Sequence, residues 1–214
     1  MRKETKNTNN IESSSHLPSL REGLGVGSPP LHPLHQFHFC PKCGSSRFVE
    51  HNAKSKHCED CGFTYYFNPS AATVGLIVNE RGEWLCVRRA KEPAKGTLDL
   101  PGGFSDMFET SEEGVMREVK EETGLDVDRV EFLFSIPNQY LYSGFLVHTM
   151  DMFYRCYVKA ENANVYSHAH AADDAAELLW IHPSDIHPSD FGLLSIRSGV
   201  EKLLAIDNQS HHKS

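Results

Sequence analysis

Three glutamates near the middle of the chain could hold a divalent cation. Glu121 and Glu122 follow Glu118 by three and four residues, within the stretch from Gly103 to Leu125. On a helix, this spacing places the three carboxylates on one side. Like charges gathered this closely repel one another, and a hard cation such as Mg²⁺, which prefers oxygen ligands, would turn the repulsion into binding. The alternative interpretation is an acidic helix face that is merely solvated.

The helix that carries these glutamates has recognisable ends in the sequence. Thr110 is a good N-cap residue, and Glu113 three positions later completes a capping box. Gly124 follows the last turn, where a left-handed C-cap residue is wanted. Val115 and Val119 fall on a side adjoining the glutamates and are suited to packing on a sheet. The sequence therefore predicts a helix that sets three acids beside a core.

The acids belong to a longer pattern, G-x5-E-x7-R-E-V-x-E-E-x-G-L, which begins at Gly103 and ends at Leu125. At every fixed letter this pattern resembles the Nudix box, the signature of the Nudix hydrolase family. The resemblance implies hydrolysis of a diphosphate linkage in compounds built as a nucleoside diphosphate joined to another group, with Mg²⁺ or Mn²⁺ as cofactor. It also implies an α/β/α sandwich with a mixed sheet and the box helix packed against it.

The resemblance implies roles for the acidic residues. Glu118 and Glu122 would be metal ligands, and Glu121 would be either a ligand or the general base. Gly102, just before the box, would offer its backbone carbonyl to a metal. The implied mechanism is metal-assisted hydrolysis, in which bound cations neutralise the growing charge of the diphosphate and lower the pKa of a bound water.

Further residues complete the implied site. Glu109 and Arg117 would pair and hold the loop of the box against its helix. Several family members place another acidic ligand, or the base, shortly before a tryptophan, and Glu177 occupies that position in this chain. Asp173 and Asp174 are competing candidates, which we expect to be solvated instead.

Four cysteines form a second candidate metal site. Cys40 and Cys43 make one C-x2-C pair, Cys58 and Cys61 make another, and fourteen residues separate the two pairs. This spacing predicts a tetrahedral zinc site of four thiolates. Because protein ligands take all four positions, the zinc would be structural and would supply folding energy to a segment with almost no core. Two disulfides or reduced core thiols are the alternative, which the lack of a secretion signal disfavours.

A zinc ribbon placed before a Nudix domain resembles the NADH pyrophosphatase branch of the family. That branch carries S-Q-P-W-P-F-P after the box, whereas this chain has S-I-P-N-Q-Y from Ser135 onward, so that only the serine and the first proline match. The departure leaves NADH, FAD, ADP-ribose and other ADP-containing dinucleotides open as substrates. An ordinary polar loop between two strands is one interpretation of this segment. The other is a base or ribose pocket lined by Asn138, Gln139, Tyr140 and Tyr142.

Two adjacent arginines offer a candidate contact for the substrate phosphate. Arg88 and Arg89 end a predicted strand, where alternation sends one side chain to each face of the sheet. Arginine binds phosphate well because its guanidinium is a bidentate donor. We take Arg88 as the candidate ligand, and a surface salt bridge is the alternative.

The chain of 214 residues is long enough for more than one packed unit. The predicted organisation is a flexible tail over 1–36, a zinc ribbon over 37–68, a Nudix domain over 69–206 and a second tail over 207–214. Within the Nudix domain we predict strands over 72–78, 84–89, 130–135, 152–158 and 178–181, and a last helix over 196–206. The expected fold class is α/β, a Nudix sandwich preceded by a small four-cysteine zinc ribbon.

Composition limits the expected partners. The formal net charge of −8 disfavours non-specific binding to the phosphates of nucleic acid. No apolar run approaches the roughly 20 residues that span a bilayer, and the N-terminus lacks the apolar centre of a secretory signal. We therefore expect a cytoplasmic enzyme with a small-molecule nucleotide substrate, a homodimeric assembly and no membrane partner.

Two other functions are compatible with the same motifs. The zinc ribbon could bind nucleic acid or protein while the Nudix domain senses a ligand. Nudix-fold regulators typically lose box glutamates, however, and this chain keeps all of them. An RNA-end hydrolase that removes a dinucleotide cap is the second alternative, which the acidic charge balance disfavours.

Overall fold

The computed structural model describes residues 31–159 and 175–211 of the chain. Its strands are β1 Phe48–Asn52, β2 Ser55–Cys58, β3 Thr64–Tyr66, β4 Ser70–Ile77, β5 Trp84–Arg89, β6 Leu98–Asp99, β7 Gly102–Phe104, β8 Val127–Tyr142, β9 Phe145–Val158 and β10 Ala175–Ile181. The α-helices of the described ranges are α1 Ser111–Thr123 and α2 Leu194–His211. The strands form three sheets.

The first sheet is a small antiparallel ribbon with the strand order β1-β2-β3. Its core forms around Phe48, which packs with the motif cysteines. The rings of Phe37 and Phe67 meet Phe145 of β9 in edge-on contacts, with centroids 5.6 and 5.8 Å away. The ribbon therefore rests on the neighbouring sheet through aromatic side chains.

The packed region begins earlier than we predicted. Residues 1–30 of the expected tail lie outside the described residues. Leu34, however, is fully buried, and Gln36 Nε2 donates a hydrogen bond to the carbonyl of Gly144 at 2.8 Å. The residues around Leu34 are thus part of the folded structure. Leu34 lies in the short stretch LHPLHQFHF, which is too brief and too broken by histidines and Pro33 to show a periodicity from which this packing could be predicted.

The remaining strands form the mixed sandwich that the box resemblance implied. One sheet has the order β7-β4-β9-β8 and the other has the order β10-β5-β6. Strands β4 and β9 are parallel, and the other pairs of these two sheets are antiparallel. On the α1 side, Val119 shares a buried cluster with Ile77 of β4. On the α2 side, Val200 shares another with Phe153 of β9.

Strands β8 and β9 make a long hairpin, and both are longer than predicted. Ser143 and Gly144 join them with positive φ angles of 50° and 75°, as a two-residue turn of type I′ requires. The segment 135–142, interpreted as a possible loop, is therefore the second half of β8. Pro137 fits there because β8 is the edge strand of its sheet, where a missing backbone donor is tolerated.

The C-terminal elements are also longer than predicted. Strand β10 starts at Ala175, and α2 runs from Leu194 to His211 instead of ending at 206. The expected tail is thus helical up to His211, since no glycine or proline follows Ile206 to end the helix. Among the residues that the structure describes, no helix is long and apolar enough to cross a membrane.

Gly199 allows α2 to lie close to the sheet, and this contact can be tested. A Cβ at Gly199 would lie 2.3 Å from two ring atoms of Phe153. Alanine gains about 1 kcal/mol over glycine in helix propensity, but overpacking a core costs about 1–3 kcal/mol. We expect Gly199→Ala to lower the free energy of unfolding by about 1 kcal/mol in urea denaturation. The neighbouring control Ser198→Ala should stay within about 0.5 kcal/mol of the parent protein, and a stabilised Gly199→Ala would show that the ring can shift.

Candidate active site

Helix α1 has the ends that its sequence predicted. The Thr110 hydroxyl accepts from the amide of Glu113 at 3.2 Å, and the Glu113 carboxylate accepts from the amide of Thr110 at 2.8 Å. Gly124 ends the helix in the left-handed conformation, with φ 74°. Val115 and Val119 are fully buried against the sheet. These contacts fix the rotation of α1, and with it the direction of its glutamates.

Two glycines before the helix make room for two of these carboxylates. The amide of Gly102 donates to Glu122 Oε2 at 3.0 Å. A Cβ at Gly103 would lie 2.6 Å from Glu118 Oε1, and a Cβ at Gly102 would lie 2.1 Å from the carbonyl oxygen of Thr73. Any larger residue at either position would therefore displace the backbone or a box glutamate.

The surroundings of Glu118 and Glu122 disfavour their charged forms. Burial raises the pKa of Glu122 to about 8, and the nearby Asp99 and Glu118 act in the same direction, against the Gly102 amide. Burial also raises the pKa of Glu118, although Arg117 opposes the shift. A cation at these carboxylates would favour the charged forms, because an opposite charge within a few ångströms lowers a carboxyl pKa.

Arg117 connects the loop of the box to its helix. Its Nε and Nη2 donate to the two oxygens of Glu109 at 3.1 and 2.8 Å, the pair that the resemblance implied. Nη1 donates to Glu118 at 2.9 Å and to Glu121 at 3.1 Å, and Nη2 also donates to the carbonyl of Phe104. The hydrogen bond from Arg117 holds the pKa of Glu109 below its ordinary value. One side chain thus organises three acids of the box.

The box glutamates fit a hard divalent cation in their chemistry, although their carboxylates do not converge on one point in this structure. They offer carboxylate oxygens, the ligands that Mg²⁺ and Mn²⁺ prefer, and the single charge of Arg117 compensates them only in part. Within the described ranges, only the four cysteines bring three or more potential ligand atoms within 4.8 Å of one another. A cation would therefore have to draw Glu121 from Arg117 towards Glu118 and Glu122.

A cleft of about 490 Å³ opens beside Glu122, a volume typical of small-molecule sites. Strands β4, β7, β8 and β9 supply its floor, and α2 and the residues after β5 supply its walls. Polar and aromatic residues of the lining include Thr73, Arg89, Lys91, Asp99, Phe104, Asn138, Tyr140, Tyr142, Thr149 and Asp151. Its lining thus combines one box glutamate, Glu122, with Arg89 and with the tyrosines of β8, whereas Glu118 and Glu121 are not in it.

Arg89 places a positive charge in the wall of this cleft. Its Nη1 donates to Asp99 at 2.6 Å, and its Nε donates to the carbonyl of Pro93 at 2.8 Å. Burial raises the pKa of Asp99, and the guanidinium of Arg89 opposes that rise. The other N–H groups of Arg89 make no hydrogen bond to the described part of the chain, so this guanidinium can still bind an anionic group.

A buried polar network in the lining of the cleft was missed by the sequence interpretation. Asp151 accepts hydrogen bonds from Asn138 Nδ2 at 3.3 Å and from the hydroxyls of Thr149 and Ser195 at 2.5 Å. All four residues are at most 6% exposed. The available signal was a charged residue inside the apolar strand pattern of β9, and the network ties α2 to the sheet.

Some of the predicted substrate residues line the cleft and others do not. Asn138, Tyr140 and Tyr142 line the cleft, whereas Gln139 and Arg88 are not in its lining. Arg88 instead pairs with Glu177 at 2.9 Å, opposite it on β10. This agrees with the surface-salt-bridge alternative for Arg88, and Glu177 would have to leave this pair to reach a cation.

The four motif cysteines lie together as predicted. Their sulfur atoms all fall within 4.8 Å of one another, with Cys40–Cys61 at 3.7 Å and Cys43–Cys58 at 3.6 Å. A tetrahedron with zinc–sulfur bonds of ~2.3 Å has sulfur–sulfur edges of about 3.8 Å. The cluster is therefore consistent with a zinc ribbon, and no disulfide links these cysteines.

The competing candidates Asp173 and Asp174 lie outside the described residues.

A mixed sandwich with a capped glutamate helix against its sheet defines the class of this protein. The NUDIX domain profile matches residues 68–197, and the chain belongs to the NUDIX family. A crystal structure of a NUDIX hydrolase from Nitrosomonas europaea has the same fold, with a TM-score of 0.57 and 21% identity, over 81% of this chain and 92% of that one.

Two relatives with named activities are similar to parts of the chain. The NAD-capped RNA hydrolase NudC of Vibrio vulnificus is 28% identical over 141 residues, which are 61% of this chain and 53% of that protein. The ADP-ribose pyrophosphatase of Methanocaldococcus jannaschii is 40% identical over 74 residues, 35% of this chain and 43% of that protein. The chain thus spans about half the length of the relatives that it matches.

The cysteine cluster gives a test that separates it from the box. Cys58→Ser removes one of the four sulfur ligands, so purified protein should lose most of its zinc, measured by mass spectrometry of the metals. The melting temperature of the ribbon should fall, because a structural metal supplies folding energy. The turnover number of any box-dependent reaction should change by less than about threefold, since the two sites use unlike ligands. Retention of one zinc per chain in Cys58→Ser would contradict a four-thiolate site.

Proposed function

We propose that the protein is a metal-dependent hydrolase that cleaves the diphosphate linkage of an ADP-containing dinucleotide, of the NADH, FAD or ADP-ribose type. The observation that carries this proposal is the position of Glu122 and Gly102 in the wall of the cleft that Arg89 also lines. A diphosphate in this cleft would lie between acids that can hold a cation and an arginine that can hold phosphate oxygens. The names of the two relatives support the same class of substrate.

The proposed catalytic cation is Mg²⁺ or Mn²⁺, held by Glu118, Glu122 and Glu121 and by the carbonyl of Gly102. When bound, it would stabilise charge on the diphosphate and lower the pKa of a water ligand. The protein's own groups then have separate tasks. Arg117 orients the glutamates, and Glu121, Glu122 or Glu177 accepts the proton of the attacking water. Glu177 stays a predicted additional ligand.

The rest of the proposal concerns the ribbon and the assembly. We assign Zn²⁺ to the four cysteines as a structural ion, and the ranges 37–68 and 69–206 to a zinc ribbon and a catalytic domain. The proposed partners are a second copy of this chain, in a homodimer, and a small-molecule substrate. NAD-capped RNA is a second candidate substrate because a relative carries that name, and the cleft opens at the protein surface near Tyr142, which is 57% exposed.

A product screen tests the reaction class. The zinc-loaded protein is incubated with Mg²⁺ or Mn²⁺ and with NADH, FAD, ADP-ribose or NAD-capped RNA, and the products are separated by chromatography. Release of AMP from a free dinucleotide is the expected result. Cleavage of capped RNA alone would favour the RNA-end hydrolase, and binding without cleavage would favour the ligand sensor.

Charge removal tests the box. Glu118→Gln, Glu121→Gln and Glu122→Gln keep the side-chain shape, and each should lower the turnover number by about 100-fold or more. The metal-free melting temperature of Glu122→Gln should equal or exceed that of the parent protein, because burial already disfavours the charged form of Glu122. Glu118→Gln and Glu121→Gln each lose an ion pair with Arg117 and should remain folded. Near-normal turnover of all three variants at saturating Mg²⁺ would refute the assignment of the active site.

The adjacent arginines provide a matched pair for the phosphate contact. Arg89→Lys keeps the charge beside Asp99 but loses bidentate binding, so kcat/KM should fall about 10- to 100-fold, equivalent to about 1.5–3 kcal/mol. Arg88→Lys should change kcat/KM by less than about threefold, because Arg88 faces Glu177. The opposite order of effects would return the phosphate contact to Arg88, as first predicted.

A further inference from the structure

Thr73 carries a buried hydroxyl with no hydrogen-bond partner in the described structure. The residue is 1% exposed in β4, and its Oγ1 is among the few buried polar side-chain atoms left unpaired. Buried polar groups are almost always hydrogen-bonded, and an exception calls for an explanation. One explanation is a partner that arrives only when a ligand is bound.

The Thr73 side chain lies on the α1 face of the sheet. Gly75, two residues further along β4, faces α1, because a Cβ there would lie 3.0 Å from Val119 Cγ2. Residues two apart on a strand share a face, so Thr73 faces α1 as well. The hydroxyl is therefore on the side of the sheet that carries the box glutamates.

Strand pairing places Thr73 and Glu118 on the same face of the sheet, with Gly103 between them. Thr73 is directly opposite Gly103 of β7, and opposite residues project to the same face with Cβ positions about 4.5–5.5 Å apart. The Cβ position of Gly103 is itself 2.6 Å from Glu118 Oε1 and 2.7 Å from Oε2. Gly103 supplies no side chain, so nothing from β7 separates Thr73 from this carboxylate.

One carboxylate oxygen of Glu118 is available to accept a hydrogen bond from such a donor. Oε1 accepts from Arg117 at 2.9 Å, and Oε2 accepts no hydrogen bond from the described residues. We propose that Thr73 is a positioning residue for the divalent-cation site, whose hydroxyl donates to the Glu118 carboxylate once a cation draws that side chain inward. This inference rests on the proposed function, since it requires Glu118 to be a metal ligand. Partners that orient a metal ligand are typically worth ~10- to 100-fold in metal affinity.

The test measures Mn²⁺ binding to the full chain with its zinc retained. In isothermal titration calorimetry with MnCl₂, Thr73→Val should bind Mn²⁺ about 10- to 100-fold more weakly than the parent protein. Thr73→Ser keeps the hydroxyl and should stay within about threefold. The metal-free melting temperature of Thr73→Val should equal or exceed the parent value, because valine removes an unpaired polar group from a buried position.

Ser55→Ala is the matched control. Ser55 is fully buried in β2 of the ribbon, and its hydroxyl is also unpaired, so this variant should bind Mn²⁺ like the parent protein. If Thr73→Val does not fold, Thr73→Ala replaces it in the same comparison. Parent-like Mn²⁺ affinity in the variant without the hydroxyl overturns the inference. So does a metal-free melting temperature that falls in Thr73→Val but not in Thr73→Ser, since the hydroxyl would then have a structural partner. If the parent protein itself binds no Mn²⁺, the proposed function fails first.

Discussion

The close approach of α1 to the sheet is the constraint on which the rest of the site depends. Two glycines permit it, because side chains at Gly75 and Gly103 would crowd Val119 and Glu118 of α1. The approach buries Val115 and Val119 completely, which stabilises the fold. It also buries carboxylates on the same helix, which opposes stability unless they are compensated. On this one helix, the burial of apolar side chains stabilises the fold and the burial of carboxylates destabilises it.

Arg117 is the protein's own partial solution to this competition. It reaches Glu109, Glu118 and Glu121 at hydrogen-bonding distances, but one positive charge cannot neutralise all of the surrounding acids. Burial first, and neighbouring acids second, still raise the pKa values of Glu118 and Glu122. A divalent cation, as proposed for this site, would favour the charged forms of these glutamates.

The parts of the site that were predictable from sequence are those set by local chemistry. The capping box and the C-cap glycine fix the ends of α1, and metal-ligand spacing alone predicted the cysteine cluster. The contacts that depend on which strands pair were not predictable in this way. Whether Arg88 or Arg89 enters the cleft depends on the register of β5 with β6 and β10. The Asp151 network likewise joins β8, β9 and α2. The periodicity of one segment cannot indicate hydrogen bonds between side chains of three different segments.

The hairpin of β8 and β9 contacts both the ribbon and the cleft. Its tip contacts the ribbon, through Phe145 with Phe37 and Phe67. A few residues before the turn, the same β8 strand supplies Tyr140 and Tyr142 to the cleft. The tip of the hairpin is thus packed against the ribbon. The ribbon therefore contacts the end of the hairpin that also supplies aromatic residues to the cleft, although the ribbon contributes none of the cleft's lining itself.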